Sequence, residues 1–207
     1  MRLLHFLGTL ALHACYRARI VNAERIPRQG PALLVCNHVS FLDPFVIGAL
    51  CPRPIRFVMS DRIYRLRLGN WFFRLVRAIP IASGPRDAQL LASAYQQCVQ
   101  ALANGELVCI FPEGRRSPTG EVLRFQPGVS SILRRAPVPV VPMALQGLWG
   151  SVFSRDAEAR VPRPARKGAR SRVTMAVGEP LEPAHAAPSH LRQVVAGLHR
   201  THLIEGT

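Results

Sequence analysis

The sequence predicts a single α/β domain: a mixed, largely parallel central sheet flanked by helices, with an N-terminal helix at a membrane interface. Three observations carry that expectation. Ala32-Leu33-Leu34-Val35-Cys36 and the run from Glu106 to Phe111 read as strands covered on both faces, being almost unbroken apolar stretches. Between them, Leu90, Leu91, Ala94, Cys98, Ala101 and Leu102 recur at helical spacing from about Asp87 to Asn104, and Gly105 supplies the expected terminator. Both strand-like runs stop abruptly at polar residues able to do chemistry, the usual place for a site in such a fold. At 207 residues the chain can build one substantial core, and no stretch reads as a linker between two.

The elements follow in order. Residues 1–18 carry no formal charge between Arg2 and Arg17, but His5 and His13 interrupt a span well short of the ~20 apolar residues that cross a bilayer. The segment reads as a helix lying on or dipping into the membrane, with an ordinary core helix as the alternative; no small-x-small cleavage site marks a signal peptide. Residues 19–207 form the catalytic domain of the expectation. A loop or edge over Val21 to Pro27 and a turn at Gly30-Pro31 lead into the first buried strand, which delivers Asn37 and His38. Asp43 precedes Pro44, so it reads as the cap of a helix over Pro44 to Leu50, and equally as a partner for His38.

Ile55 to Met59 reads as a strand. After it, Arg62, Arg65, Arg67, Arg74 and Arg77 interleave with Tyr64, Trp71, Phe72 and Phe73, a mixture that suits an interfacial helix broken near Gly69-Asn70. Ala78 to Ala82 is a short strand whose Pro80 argues for an edge. The second buried strand ends in Pro112-Glu113-Gly114-Arg115-Arg116-Ser117, where a glycine and two arginines beside a carboxylate could cradle a phosphate; a charged turn is the other reading. A short helix from Gly128 to Arg135, a strand from Val138 to Leu145 made irregular by Pro139 and Pro142, a basic loop from Arg155 to Arg172, a strand from Val173 to Val177 and a closing helix near Ser189 to His202 complete the chain.

The formal net charge is +15, nearly all from arginine, since Lys167 is the one lysine. Guanidinium groups stay charged and grip phosphates bidentately, so an anionic partner is expected. The basic residues lie among large aliphatics and no nucleic-acid-binding signature appears, which favours an anionic membrane surface over nucleic acid. Five cysteines without C-x-x-C spacing read as buried thiols rather than disulfides or zinc ligands. His190, His199 and His202 lack a carboxylate or cysteine partner, so no metal is expected. Nucleophile elbows, dinucleotide fingerprints and Walker loops are absent from the sequence, leaving His38 as a base acting on a substrate hydroxyl.

Two blocks then carry a family resemblance. Asn37-His38-x-x-x-x-Asp43 and Phe111-Pro112-Glu113-Gly114-x-Arg116-Ser117 resemble the first and third signature blocks of the glycerolipid acyltransferases, the lysophosphatidic acid acyltransferase type, and Val140-Val141-Pro142 resembles the fourth. The resemblance implies His38 as general base, Asp43 as its orienting carboxylate, and Asn37, Glu113, Gly114, Arg115 and Arg116 at the substrate. It also implies an acyl-CoA or acyl-carrier-protein donor without a cofactor, a lysophospholipid acceptor, and a peripheral or monotopic position on the cytoplasmic face. In the second block Arg77 stands where the family commonly has glycine and Ser83 where it has arginine; either Arg77, Arg86 or Arg115 substitutes at the acceptor's phosphate, or the acceptor is a lysophospholipid with a larger headgroup, such as lysophosphatidylethanolamine or lyso-ornithine lipid.

Overall fold

The computed structural model describes residues 2–66, 69–82, 87–149 and 171–204. The chain opens with helix α1 (Arg2–Cys15) and runs directly into strand β1 (Tyr16–Val21). The expected helix over 1–18 therefore ends three residues early, because Tyr16 to Val21 pair with a strand from the far end of the chain. After a 3-10 turn come β2 (Ala32–Cys36), α2 (Asp43–Leu50), β3 (Ile55–Ser60), α3 (Asp61–Tyr64), α4 (Asn70–Leu75) and β4 (Ile79–Ile81). The second half supplies α5 (Ala88–Ala103), β5 (Leu107–Ile110), α6 (Gly128–Leu133), β6 (Val140–Gln146), β7 (Ser171–Val177) and α7 (Pro188–Ile204).

The seven strands lie in the order β1-β7-β6-β2-β5-β3-β4. β2, β3, β4, β5 and β6 are parallel to one another, whereas β7 runs antiparallel to β6 and carries β1 parallel to itself. The sheet is thus mixed and largely parallel. β4 is an edge strand, as Pro80 requires. Pro142, by contrast, sits inside a central strand. Its carbonyl accepts from Gly178 N at 2.8 Å, so its own nitrogen faces the β7 side just beyond the last β7 residue, where a missing N–H breaks no ladder bond.

The alternation of β2 shows why its run is apolar throughout. Leu33 and Val35 join a core with Ala94, Cys98, Ala101 and Leu102 of α5, Val129 and Ile132 of α6, and Leu191 and Val195 of α7. Leu34 and Cys36 face the opposite layer, with Leu12 of α1, Val46 and Ile47 of α2, and Met175 of β7. The outcome is three layers, helix on sheet on helix. α5 follows its sequence pattern closely: Asp87 caps it by accepting from Leu90 N, and Gly105 follows at φ 75°.

The aromatic and basic segment from Arg62 to Arg77 is broken as Gly69-Asn70 predicts, into two short helices, α3 and α4. The basic stretch from Arg155 falls outside the described residues, except that Ser171 and Arg172 begin β7.

Candidate active site

β2 and β5 are parallel neighbours, so the loops that follow them emerge side by side at one edge of the sheet. The first loop carries His38 to Asp43, the second Phe111 to Ser117. His38 Nδ1 lies 2.8 Å from Asp43 Oδ2, and that same oxygen accepts from Val39 N at 2.7 Å and Ser40 N at 2.9 Å. An ionised carboxylate can only accept, so the shared proton belongs to Nδ1 and the lone pair of the neutral imidazole lies on Nε2. The expected cap at Asp43 is corrected here: α2 begins at Asp43 itself, after Leu42, and the carboxylate turns back onto the preceding loop rather than forward onto the helix.

The second loop holds His38 from behind. Glu113 is buried, and its Oε1 accepts from His38 N at 3.1 Å; Ser117 N donates to His38 O at 2.7 Å. The Phe111 ring stacks on the imidazole with centroids 4.3 Å apart. Burial pushes the Glu113 carboxyl up to about 7, against the N–H groups of His38 and Leu123, which favour its ionised form. Gly114 has φ 69°, a left-handed turn conformation that suits glycine, and it leaves Arg115 exposed beside the site. The Arg116 guanidinium lies 3.6 Å from the centroid of Phe41, an exposed ring within the His38–Asp43 loop.

Two expected substrate residues are placed elsewhere. Asn37 is buried and joins β2 to β6: its Nδ2 donates to Leu145 O at 3.0 Å and its Oδ1 accepts from Leu145 N at 2.7 Å. Its amide imitates one more rung of the ladder past the end of β2, which occupies both polar atoms inside the protein. Arg77 lies before β4, with its guanidinium 2.7 Å from Glu106, at the start of β5 rather than at its end. Its φ of 55° shows why glycine is common there in the resembling family. Ser83 and Arg86 fall outside the described residues. Phe111 and Ser117, quoted in the third block without a role of their own, are the further contributors: the ring of one stacks on His38 and the N–H of the other holds its carbonyl.

A family model described as Acyltransferase matches residues 17–146. The chain belongs to the acyltransferase family. A 1-acyl-sn-glycerol-3-phosphate acyltransferase of Chlamydomonas reinhardtii is 32% identical over 169 residues, 81% of this chain and 48% of its own length. The 1-acyl-sn-glycerol-3-phosphate acyltransferase of Bacillus subtilis is 26% identical over 133 residues, 62% of either chain. The crystal structure of the 1-acyl-sn-glycerophosphate acyltransferase PlsC from Thermotoga maritima superposes with a TM-score of 0.73 at 22% identity, covering 99% of this chain and 78% of that one, and shows the shared fold. The chain spans about half the length of the first plant and algal relatives it matches. The acyltransferase match covers both loops of the site, from His38 to Ser117.

Proposed function

We propose that the protein transfers a fatty acyl group from acyl-CoA or acyl-carrier protein to the free hydroxyl of a lysophospholipid, with 1-acyl-sn-glycerol 3-phosphate as acceptor and phosphatidic acid as product. The observation that carries the reading is the 2.8 Å pair between His38 Nδ1 and Asp43 Oδ2 at the edge of the sheet. It leaves Nε2 to take the proton from the acceptor hydroxyl while the oxygen attacks the thioester carbonyl. The tetrahedral intermediate collapses by breaking the carbon–sulfur bond, and the imidazolium returns its proton to the departing thiolate. Asp43 holds the tautomer and stabilises the imidazolium. Arg115 and Arg116, beside Gly114, receive the acceptor's phosphate. The acceptor headgroup is the finer part of the proposal, and relatives named for 1-acyl-sn-glycerol-3-phosphate support it.

The reaction takes place on an anionic membrane surface, at its cytoplasmic face, and the protein binds no nucleic acid in this reading. Exposed Phe45, Leu66, Trp71 and Leu75, set among arginines, support a lipid-facing side; no helix among the described residues is long and apolar enough to cross a membrane.

Labelled acyl-CoA offered with lysophosphatidic acid, lysophosphatidylethanolamine or lyso-ornithine lipid tests the claim. Acylation of the first is expected, and folded His38→Ala should be slower by about 10²–10⁴. Acylation of the ethanolamine lipid alone would overturn the acceptor, and undiminished transfer by His38→Ala would overturn the base.

A further inference from the structure

Four contacts fix His38: Asp43 at its ring nitrogen, Phe111 on its ring face, Glu113 at its backbone N–H and Ser117 at its backbone carbonyl. Three of the four come from the turn after β5. We infer that Glu113 is a positioning residue for His38, holding the base through its main chain, and does not bind the acceptor's phosphate. The inference rests on the acyl transfer proposed above and deepens it.

Three observations converge. Glu113 is only 3% exposed, so a substrate in the open cleft cannot reach it without displacing protein atoms. An acidic side chain offers a phosphate no positive charge, whereas its oxygen accepts from a buried N–H whether or not it is ionised. Finally, the one hydrogen bond that Glu113 makes among the described residues is on the protein side, where Oε1 accepts from His38 N at 3.1 Å. The charged groups acting on it are Asp43, which disfavours its ionisation, and Arg192, which favours it; the Arg192 guanidinium is anchored on the carbonyls of Val122 and Leu123.

Holding a main-chain atom on each side of the base removes freedoms that the side-chain pair with Asp43 leaves open. The imidazole could keep its 2.8 Å contact with Asp43 and still swing with its own backbone, moving Nε2 away from the attacking hydroxyl. A displacement of about 1 Å in a reacting group costs up to roughly 10²-fold in rate. Glu113 and Ser117 remove that swing from opposite sides of the same residue.

Glu113→Ala and Glu113→Gln separate this role from substrate binding. Glu113→Ala is expected to lower kcat by roughly 10²-fold with the KM for the acceptor within about twofold. Glu113→Gln, which keeps an oxygen acceptor, is expected to recover at least a tenth of the wild-type kcat. Amide hydrogen exchange gives a readout that needs no turnover. In Glu113→Ala the His38 amide should exchange at least tenfold faster while Leu33, Leu34 and Val35 of β2 keep their protection; in Glu113→Gln it should stay protected. If Glu113→Ala does not fold, the Gln variant decides alone: a protected His38 amide with unchanged KM supports the inference. A KM raised tenfold or more with kcat intact, in either variant, overturns it, as does an unprotected His38 amide in the wild type. If the wild type transfers no acyl group, the proposed function fails while the exchange measurement still decides what Glu113 holds.

Discussion

Oδ2 of Asp43 receives the His38 ring N–H and two backbone N–H groups, while Oδ1 of Asp43, Oε2 of Glu113 and Oγ of Ser117 are buried without a hydrogen-bond partner among the described residues. Undersatisfied polar atoms concentrated around one histidine are the cost of assembling a site from groups that water would otherwise solvate. The carboxyl of Glu113 binds its proton more tightly in the fold, at about 7, than its usual 4.5. Between those values the folded state therefore holds more protons than the unfolded one. The stabilising contribution is complete below pH 4.5 and is lost as pH rises through about 7. Glu113→Gln has nothing to titrate, so its urea midpoint should vary less across that window than the wild type's; equal slopes would refute the shift. At this scale His38, Asp43 and the turn from Pro112 to Ser117 were legible because each follows an apolar run that fixes where it emerges. Asn37 was not, since an amide beside a histidine at a strand end looks the same whether it faces a ligand or closes a sheet. Arg77 misled for a different reason. Sequence order says which residues precede a strand, but not which end of the neighbouring strand a long side chain will reach.

Among elements, β6 decides the shape of the far half of the sheet. It lies beside β2 on one side and reverses the direction of pairing on the other, where β7 docks antiparallel. Its end is set by Gly147, at φ 89°, where a Cβ would fall 2.0 Å from the carbonyl oxygen of Arg172. Neither the conformation nor the space admits a side chain. Gly147→Ala should destabilise the protein by about 2–4 kcal/mol, read by chemical denaturation, because the backbones of β6 and β7 must separate to accommodate it. A loss below 1 kcal/mol would mean the two strands part more easily than this packing implies. β2, β5, β6 and β7 were readable from apolar runs and α5 from its period and caps, whereas β1, with Arg17 and Arg19 in it, was partly taken for helix. Their order was not, because the pairing of β1 with β7 joins residues 155 apart and leaves no local trace.

At the scale of the whole molecule, the exposed apolar side chains are unevenly distributed. Phe45 of α2 stacks on Phe72 of α4 with centroids 5.9 Å apart; Trp71, 67% exposed, meets Phe72 edge-on; and Leu7 and Leu10 project from α1, which Thr9 ties to the carbonyl of Ala49 in α2. Phe41 continues the series into the loop of His38. With a net charge of +15, this side suits an anionic bilayer, each arginine near the surface adding about 1 kcal/mol. Trp71→Ser combined with Leu75→Ser should reduce sedimentation with phosphatidylglycerol vesicles at least tenfold and leave the thermal midpoint within a few degrees, since both side chains are already exposed. Unchanged vesicle binding would place the lipid contact on another face.

The clasp on His38 also has a meaning in time. The pair with Asp43 joins residues five apart and is local in the chain, whereas the Glu113 contact joins residues 75 apart. A growing chain thus contains both His38 and Asp43 long before it contains the strand whose turn holds His38. In the proposed reaction the main-chain hold on His38 is complete only once β5 is paired with β2, so the site is finished together with the sheet rather than ahead of it.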